Sequence, residues 1–201
     1  MFDRFATTAI KPPVDALARL LARAGISANQ LTLLGFGIGI VAAFLIASHA
    51  YLVGATAIFI SRLCDALDGA VARCSAPTDS GGFLDITLDF LFYASIPLAF
   101  AVADPQHNAL PAAVLLAAFI GTGSSFLAFA AIAAKRGMTS TAYPHKSFYF
   151  LGGLTEATET LAAFTAMCLW PGQFAGLAYG FAGLCGVTVA TRLWWGWRAF
   201  A

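Results

Sequence analysis

Between Arg23 and Arg62 the chain carries no Asp, Glu, Lys or Arg. A bilayer crossing takes about 20 apolar residues, so this interval is too long for one helix and long enough for two. His49-Ala50-Tyr51 supplies the turn between them. Two more uncharged intervals follow, at 105–134 and 160–191, the second broken by Trp170-Pro171-Gly172-Gln173. Only 10% of the residues are charged and the mean hydropathy is +0.80, against about 25% charged in an ordinary soluble domain. These features exclude a soluble globular protein and predict an all-α integral membrane chain. Six transmembrane helices are expected near 31–48, 52–73, 82–103, 109–134, 148–169 and 173–195.

The basic residues test that count, because cytoplasmic loops collect Lys and Arg. With six crossings both termini fall on one side, and all eleven Lys and Arg of the chain fall there with them. The opposite loops hold only His49, Asp104 and His107 as titratable residues. The net charge of +1 therefore carries no suggestion of nucleic-acid binding; the asymmetry is topological. No signal peptide is expected in the first thirty residues, which lack an apolar core followed by a small-residue cleavage site. Pro12-Pro13 is expected to open, and Gly25 to close, a juxtamembrane amphipathic helix lying on the cytoplasmic leaflet, with Asp15, Arg19 and Arg23 on one face and Val14, Leu17, Leu20 and Leu21 mainly on another. A solvated arm is the alternative. The chain is thus divided into a juxtamembrane segment, 1–26, and a six-helix catalytic domain, 27–201. Cys64, Cys74, Cys168 and Cys185 show no Cys-x-x-Cys pairing and read as small buried hydrophobes.

Chemistry is concentrated in one stretch. Asp65 and Asp68 are three residues apart, Asp85 and Asp89 four apart, so each pair shares a helix face. Pro77 and Gly81-Gly82 lie between the pairs and would turn the chain so that four carboxylates meet. Acids at this depth are costly, which marks them as functional, and their mutual repulsion calls for a cation. Hard oxygen ligands suit Mg²⁺ or Mn²⁺. Gly69 and Gly81 clear space beside the acids, and Arg73 offers a fork of donors to a phosphate.

The run Asp65-x2-Asp68-Gly69-x2-Ala72-Arg73-x7-Gly81-x3-Asp85-x3-Asp89 resembles the signature of the CDP-alcohol phosphotransferase family, also called CDP-alcohol phosphatidyltransferases. The resemblance implies a bacterial inner-membrane transferase that moves a phosphatidyl group from CDP-diacylglycerol to an alcohol and releases CMP. It implies a two-metal site of Mg²⁺ or Mn²⁺ on Asp65, Asp68, Asp85 and Asp89, with Asp89 also the general base. It further implies CDP-donor contacts from Asn29, Thr32, Gly69, Arg73, Thr78 and Gly81, a cytoplasmic active site and a homodimer.

Acceptor contacts are expected from Lys135, Arg136, Lys146, Glu156 and Glu159. The two glutamates, three apart, favour a neutral polyol or amino alcohol; the basic residues would suit glycerol 3-phosphate, as in phosphatidylglycerophosphate synthesis. A rival of another class is a divalent-cation transporter, which needs acids but neither Arg73 nor the glycine clearance. Gly35, Gly37 and Gly39 read as close helix packing, Arg62 as an intrahelical partner of Asp65, and Trp194, Trp195 and Trp197 as an interfacial belt.

Overall fold

The computed structural model describes the backbone of residues 3–75, 77–138 and 153–201, with side chains from Lys11 onward. Among these described residues, seven α-helices follow one another: α1 Asp3–Arg23, α2 Ala28–Ala47, α3 Tyr51–Cys74, α4 Asp79–Ala103, α5 Pro105–Lys135, α6 Ala157–Leu169 and α7 Phe174–Phe200, with a 3-10 turn, Pro171–Gln173, before the last. No strand occurs among the described residues.

Local chemistry explains most of the boundaries. Ser27 opens α2 with a capping box, its hydroxyl accepting the Gln30 N–H while the Gln30 side chain takes the Ser27 N–H. The turn after α2 uses His49 at φ 63°, and Gly25, at φ +81°, ends the stretch after α1 in a conformation that favours glycine. Thr78 caps α4 through the Gly81 N–H, 3.1 Å away. Asp104 caps α5 through the His107 N–H, and Pro105 occupies the first turn, where its missing donor costs nothing. That cap starts α5 four residues before the expected 109.

Two expectations need correction. Pro12-Pro13 does not open the first helix: α1 runs through both prolines from Asp3, although each removes an N–H donor and crowds the carbonyl four residues before it. The fifth expected helix, 148–169, is shorter at its described end. Residues 153–156 are not helical, because Glu156 is the N-cap of α6; 148–152 lie outside the described residues.

Among the described residues, four segments are long and apolar enough to cross a membrane: Ala28–Ala47, Asp79–Ala103, Pro105–Lys135 and Pro171–Phe200. Helix α3 has the length but carries Arg62, Asp65, Asp68 and Arg73 from its middle onward. Helix α6, with 13 residues, spans about 20 Å at 1.5 Å per residue. The core is a stack of aromatic and aliphatic side chains from α2 to α7, including Ile58, Phe92, Phe100, Phe164 and Phe174. Helix α1 docks separately, chiefly on α3, through Val14 and Ala18 in a cluster with Leu31, Leu67 and Val71, while Leu17 and Leu20 face outward. Cys64, Cys168 and Cys185 are buried as expected; Cys74, the last residue of α3, is exposed.

Helix α2 is the spine that creates the site. It packs against both α3 and α4, which make few direct contacts with each other. At Gly35 a Cβ would lie 3.0 Å from the Cys64 Cβ and 3.2 Å from the Ser61 carbonyl; at Gly39 it would meet the Phe92 ring at 2.5 Å. Two of the three expected packing glycines thus bring the flanking helices close, one toward each neighbour, while Gly37 faces open space. The cleft lies between α3 and α4.

Candidate active site

Three of the four aspartates converge across that cleft. Asp65, Asp68 and Asp85 each offer a carboxylate oxygen within 4.8 Å of the others. Asp68 is only 4% exposed, and its Oδ2 has no hydrogen-bond partner among the described residues. A buried carboxylate oxygen without a donor is expensive. An all-oxygen donor set of this kind, with one oxygen left unpaired, fits a hard divalent cation. The floor of the cleft is made by Thr32, Gly35, Phe36, Arg62 and Leu88.

Asp89 stands apart from the trio. It lines the same cleft, but its Oδ1 accepts a hydrogen bond from Arg62 Nη1, and the same nitrogen is 3.4 Å from Asp65 Oδ1. The expected intrahelical pair of Arg62 with Asp65 is present, yet it is half of a bridge between α3 and α4. The sequence signal for that bridge, a basic residue three positions before the first aspartate, does not identify the partner on the other helix.

Of the expected donor-side residues, Asn29, Thr78 and Gly81 meet one another, and Thr32 lines the cleft. A Cβ at Gly81 would lie 3.0 Å from both Asn29 Oδ1 and Thr78 Oγ1, so α2 and α4 meet there only because residue 81 lacks a side chain. At Gly69 a Cβ would meet nothing nearer than Arg73 Nη1, at 3.5 Å. Arg73 itself reaches Asp15 of α1 at 3.6 Å, with its side chain 53% exposed. Thr32 returns its hydroxyl to the Ala28 carbonyl.

The expected acceptor residues are more scattered. Lys135 is exposed at the end of α5, and Arg136 donates to the Phe200 carbonyl at 2.6 Å, tying the ends of α5 and α7 together. Lys146 lies outside the described residues. Glu156 and Glu159 form the capping box of α6, the Glu159 carboxylate taking the Glu156 N–H at 3.2 Å. Sequence reasoning missed Arg192. It is 8% exposed on α7, donates from Nη1 to the Thr122 carbonyl at 2.8 Å, and has an Nε without a hydrogen-bond partner among the described residues.

Comparison with known proteins fixes the family. Residues 26–194 match the family model described as CDP-alcohol phosphatidyltransferase. The chain belongs to the CDP-alcohol phosphatidyltransferase family. It is 52% identical over 197 residues to the inner membrane protein YnjF of Escherichia coli K12, covering 98% of this chain and 96% of that protein. It is 36% identical over 94 residues to an archaetidylinositol phosphate synthase of Pyrococcus horikoshii, covering 46% of this chain and 50% of the relative. Among solved structures, Mycobacterium tuberculosis phosphatidylinositol phosphate synthase with CDP-DAG bound superposes with a TM-score of 0.73 at 22% identity, over 92% of this chain and 93% of that one. The same enzyme with manganese and citrate superposes with a TM-score of 0.71 at 22% identity, over 92% and 88%. This likeness concerns the fold. As a member of the family, the chain is a membrane-embedded phosphatidyltransferase, and the transporter reading falls away.

Proposed function

We propose that this CDP-alcohol phosphatidyltransferase transfers a phosphatidyl group from CDP-diacylglycerol to an alcohol acceptor at the cytoplasmic face of the bacterial inner membrane, releasing CMP. The observation that carries the reading is the trio of Asp65, Asp68 and Asp85 with the unpartnered Asp68 oxygen, set in a cleft beside Gly69 and Gly81. Mg²⁺ or Mn²⁺ held by these three would neutralise charge on a donor pyrophosphate. Asn29, Thr32, Thr78 and Arg73 would hold the CDP part. The Arg73–Asp15 pair is no obstacle, since partly exposed pairs are worth under about 1 kcal/mol and a phosphate competes with Asp15. Next to Thr78, Gly82, Phe83, Ile86, Phe90 and Leu127 line an apolar groove, open to accept acyl chains.

In this reading the acceptor oxygen attacks the β-phosphorus, its proton passes to Asp89, and the bond to CMP breaks. Arg62 fixes the Asp89 carboxylate beside the cleft. In the favoured architecture 27–201 is the catalytic domain, α1 is juxtamembrane, α3 and α6 complete six crossings, and two chains form a homodimer.

The acceptor has two readings. Glu156 and Glu159 would favour a neutral polyol or amino alcohol, but both serve the α6 cap. Arg192 favours a phosphorylated alcohol: Gly123, next to its Thr122 partner, packs on Phe90, the neighbour of Asp89. The names of the relatives, phosphatidylinositol phosphate and archaetidylinositol phosphate synthases, point the same way. CMP release by purified protein with CDP-diacylglycerol, Mn²⁺ and a panel of alcohols and their phosphates decides. The expected result is release that depends on a phosphorylated acceptor; release without any acceptor, or none with all of them, sinks the transferase assignment to this donor.

Sidedness has its own test. Single cysteines at His107 and Gln173, in a background without native cysteines, are expected to react with an impermeant thiol reagent from outside, and one at Thr78 only after the cytoplasmic face is opened. Labelling of position 78 in intact cells contradicts a cytoplasmic site.

A further inference from the structure

Helix α1 lies before the 26–194 match to the family model, yet it reaches a donor-side residue. Val14 and Ala18 are buried in one cluster with Leu67, Ala70 and Val71 of α3. Asp15 sits between those two anchors, so the docked face carries it to the last turn of α3, where Arg73 stands. Every-fourth spacing puts Asp15 in one row with Arg19 and Arg23, which are exposed. Its own carboxylate turns to α3 instead, with Oδ1 3.6 Å from Arg73 Nη2. The other terminal nitrogen, Nη1, is the atom nearest to Gly69, 3.5 Å from where a Cβ would be. One guanidinium is thus set between α1 on one side and the glycine that follows Asp68 on the other.

We propose that Asp15 is a positioning residue for the CDP donor: it holds the Arg73 fork in place from outside, and α1 thereby becomes part of the donor side of the site. This rests on the reading of Arg73 as a donor contact; Asp15 itself touches no substrate. A guanidinium has five N–H donors. With Nη2 turned to Asp15, a phosphate competing for the fork still finds Nη1 and Nε, and can bind without displacing the carboxylate. An unanchored arginine loses rotamer freedom when it closes on a phosphate, and preorganisation lowers that cost. Aspartate is a cheap anchor, because its stem is short and its backbone is fixed by packed neighbours on both sides. Charge alone argues the other way. An acid near an anionic donor opposes binding, so removing it would tighten binding if Asp15 did nothing for Arg73. The two accounts differ in sign.

Donor binding tests this directly. The Kd of CDP-diacylglycerol is measured on the full chain in detergent at saturating Mn²⁺, with the acceptor left out, and KM and kcat are measured separately. Asp15→Asn is expected to raise Kd by about threefold to fivefold, the most that a partly exposed ion pair supplies, with the loss appearing in the donor KM rather than in kcat. Asp15→Glu is expected to restore most of it. In an Arg73→Gln background, Asp15→Asn should not weaken binding further. Unchanged or tighter donor binding in Asp15→Asn overturns the inference, and so does equal weakening in both Arg73 backgrounds, which is what mere loosening of α1 would give. If Arg73→Gln alone binds the donor as the unmodified protein does, Arg73 is not a donor contact and the inference falls with that reading. Binding lost in Arg73→Gln but untouched in Asp15→Asn overturns the inference alone.

Discussion

Asp68→Asn is expected to lose divalent-cation binding and phosphatidyl transfer together, while leaving the fold intact. The substitution is nearly isosteric, so packing around this 4% exposed side chain changes little. It removes the negative charge and puts an amide in the place of an oxygen that has no partner among the described residues. Metal-ion stabilisation of a transition state is worth several kcal/mol, and each 1.36 kcal/mol is tenfold in rate; CMP release should therefore fall by about 10³-fold or more. A second consequence separates this account from simple damage. Without metal, the carboxylates repel one another in a partly desolvated cleft, so removing one charge should raise the melting temperature of the metal-free protein while abolishing the further rise that Mn²⁺ gives the unmodified chain. Retained Mn²⁺ stabilisation in Asp68→Asn would show that the trio is not the ion's seat.

The site was legible in the sequence wherever a single helix sets the geometry. Spacing three and four apart placed each aspartate pair on one face, and the glycine at 81 marked where backbone had to stay bare, while at 69 a Cβ would meet only an ordinary contact with Arg73. Gly81 illustrates why that worked: the Asn29 and Thr78 oxygens stand where its side chain would be. What the sequence withheld were contacts between helices. Nothing in the spacing pairs Arg62 with Asp89, because their meeting depends on how Gly35 and Gly39 let α3 and α4 lean on α2. Arg192 was hidden for the same reason, since an arginine near the end of an apolar helix reads as an interfacial residue until its burial is known. Glu156 and Glu159 are ambiguous in another way. Acids three apart at the edge of an apolar run satisfy both an acceptor-pocket reading and a helix cap, and only the open N–H groups at the start of α6 distinguish them. In the same way Asp104-Pro105 is a helix start that an emphasis on apolar length passes over.

Asp89→Asn is expected to have the opposite signature from Asp68→Asn. Asp89 lies outside the trio and is engaged by Arg62, so the variant should keep Mn²⁺ binding and CDP-diacylglycerol binding close to those of the unmodified protein. Transfer should nevertheless fall by about 10²–10⁴-fold, the usual loss when a positioned acid–base group is removed, because an amide cannot take the acceptor's proton. The split between binding and turnover is the informative quantity. A uniform loss of both would place Asp89 among the metal ligands, and near-normal turnover at saturating Mn²⁺ would remove it from the reaction. Asp89→Glu refines the test: it restores a carboxylate but moves it about one methylene away from the position that Arg62 holds, so partial recovery of CMP release with unchanged Mn²⁺ binding is expected. Recovery by Asp89→Glu that vanishes in the Arg62→Gln background, where the carboxylate has lost its anchor, would tie the proton transfer to the bridge between α3 and α4.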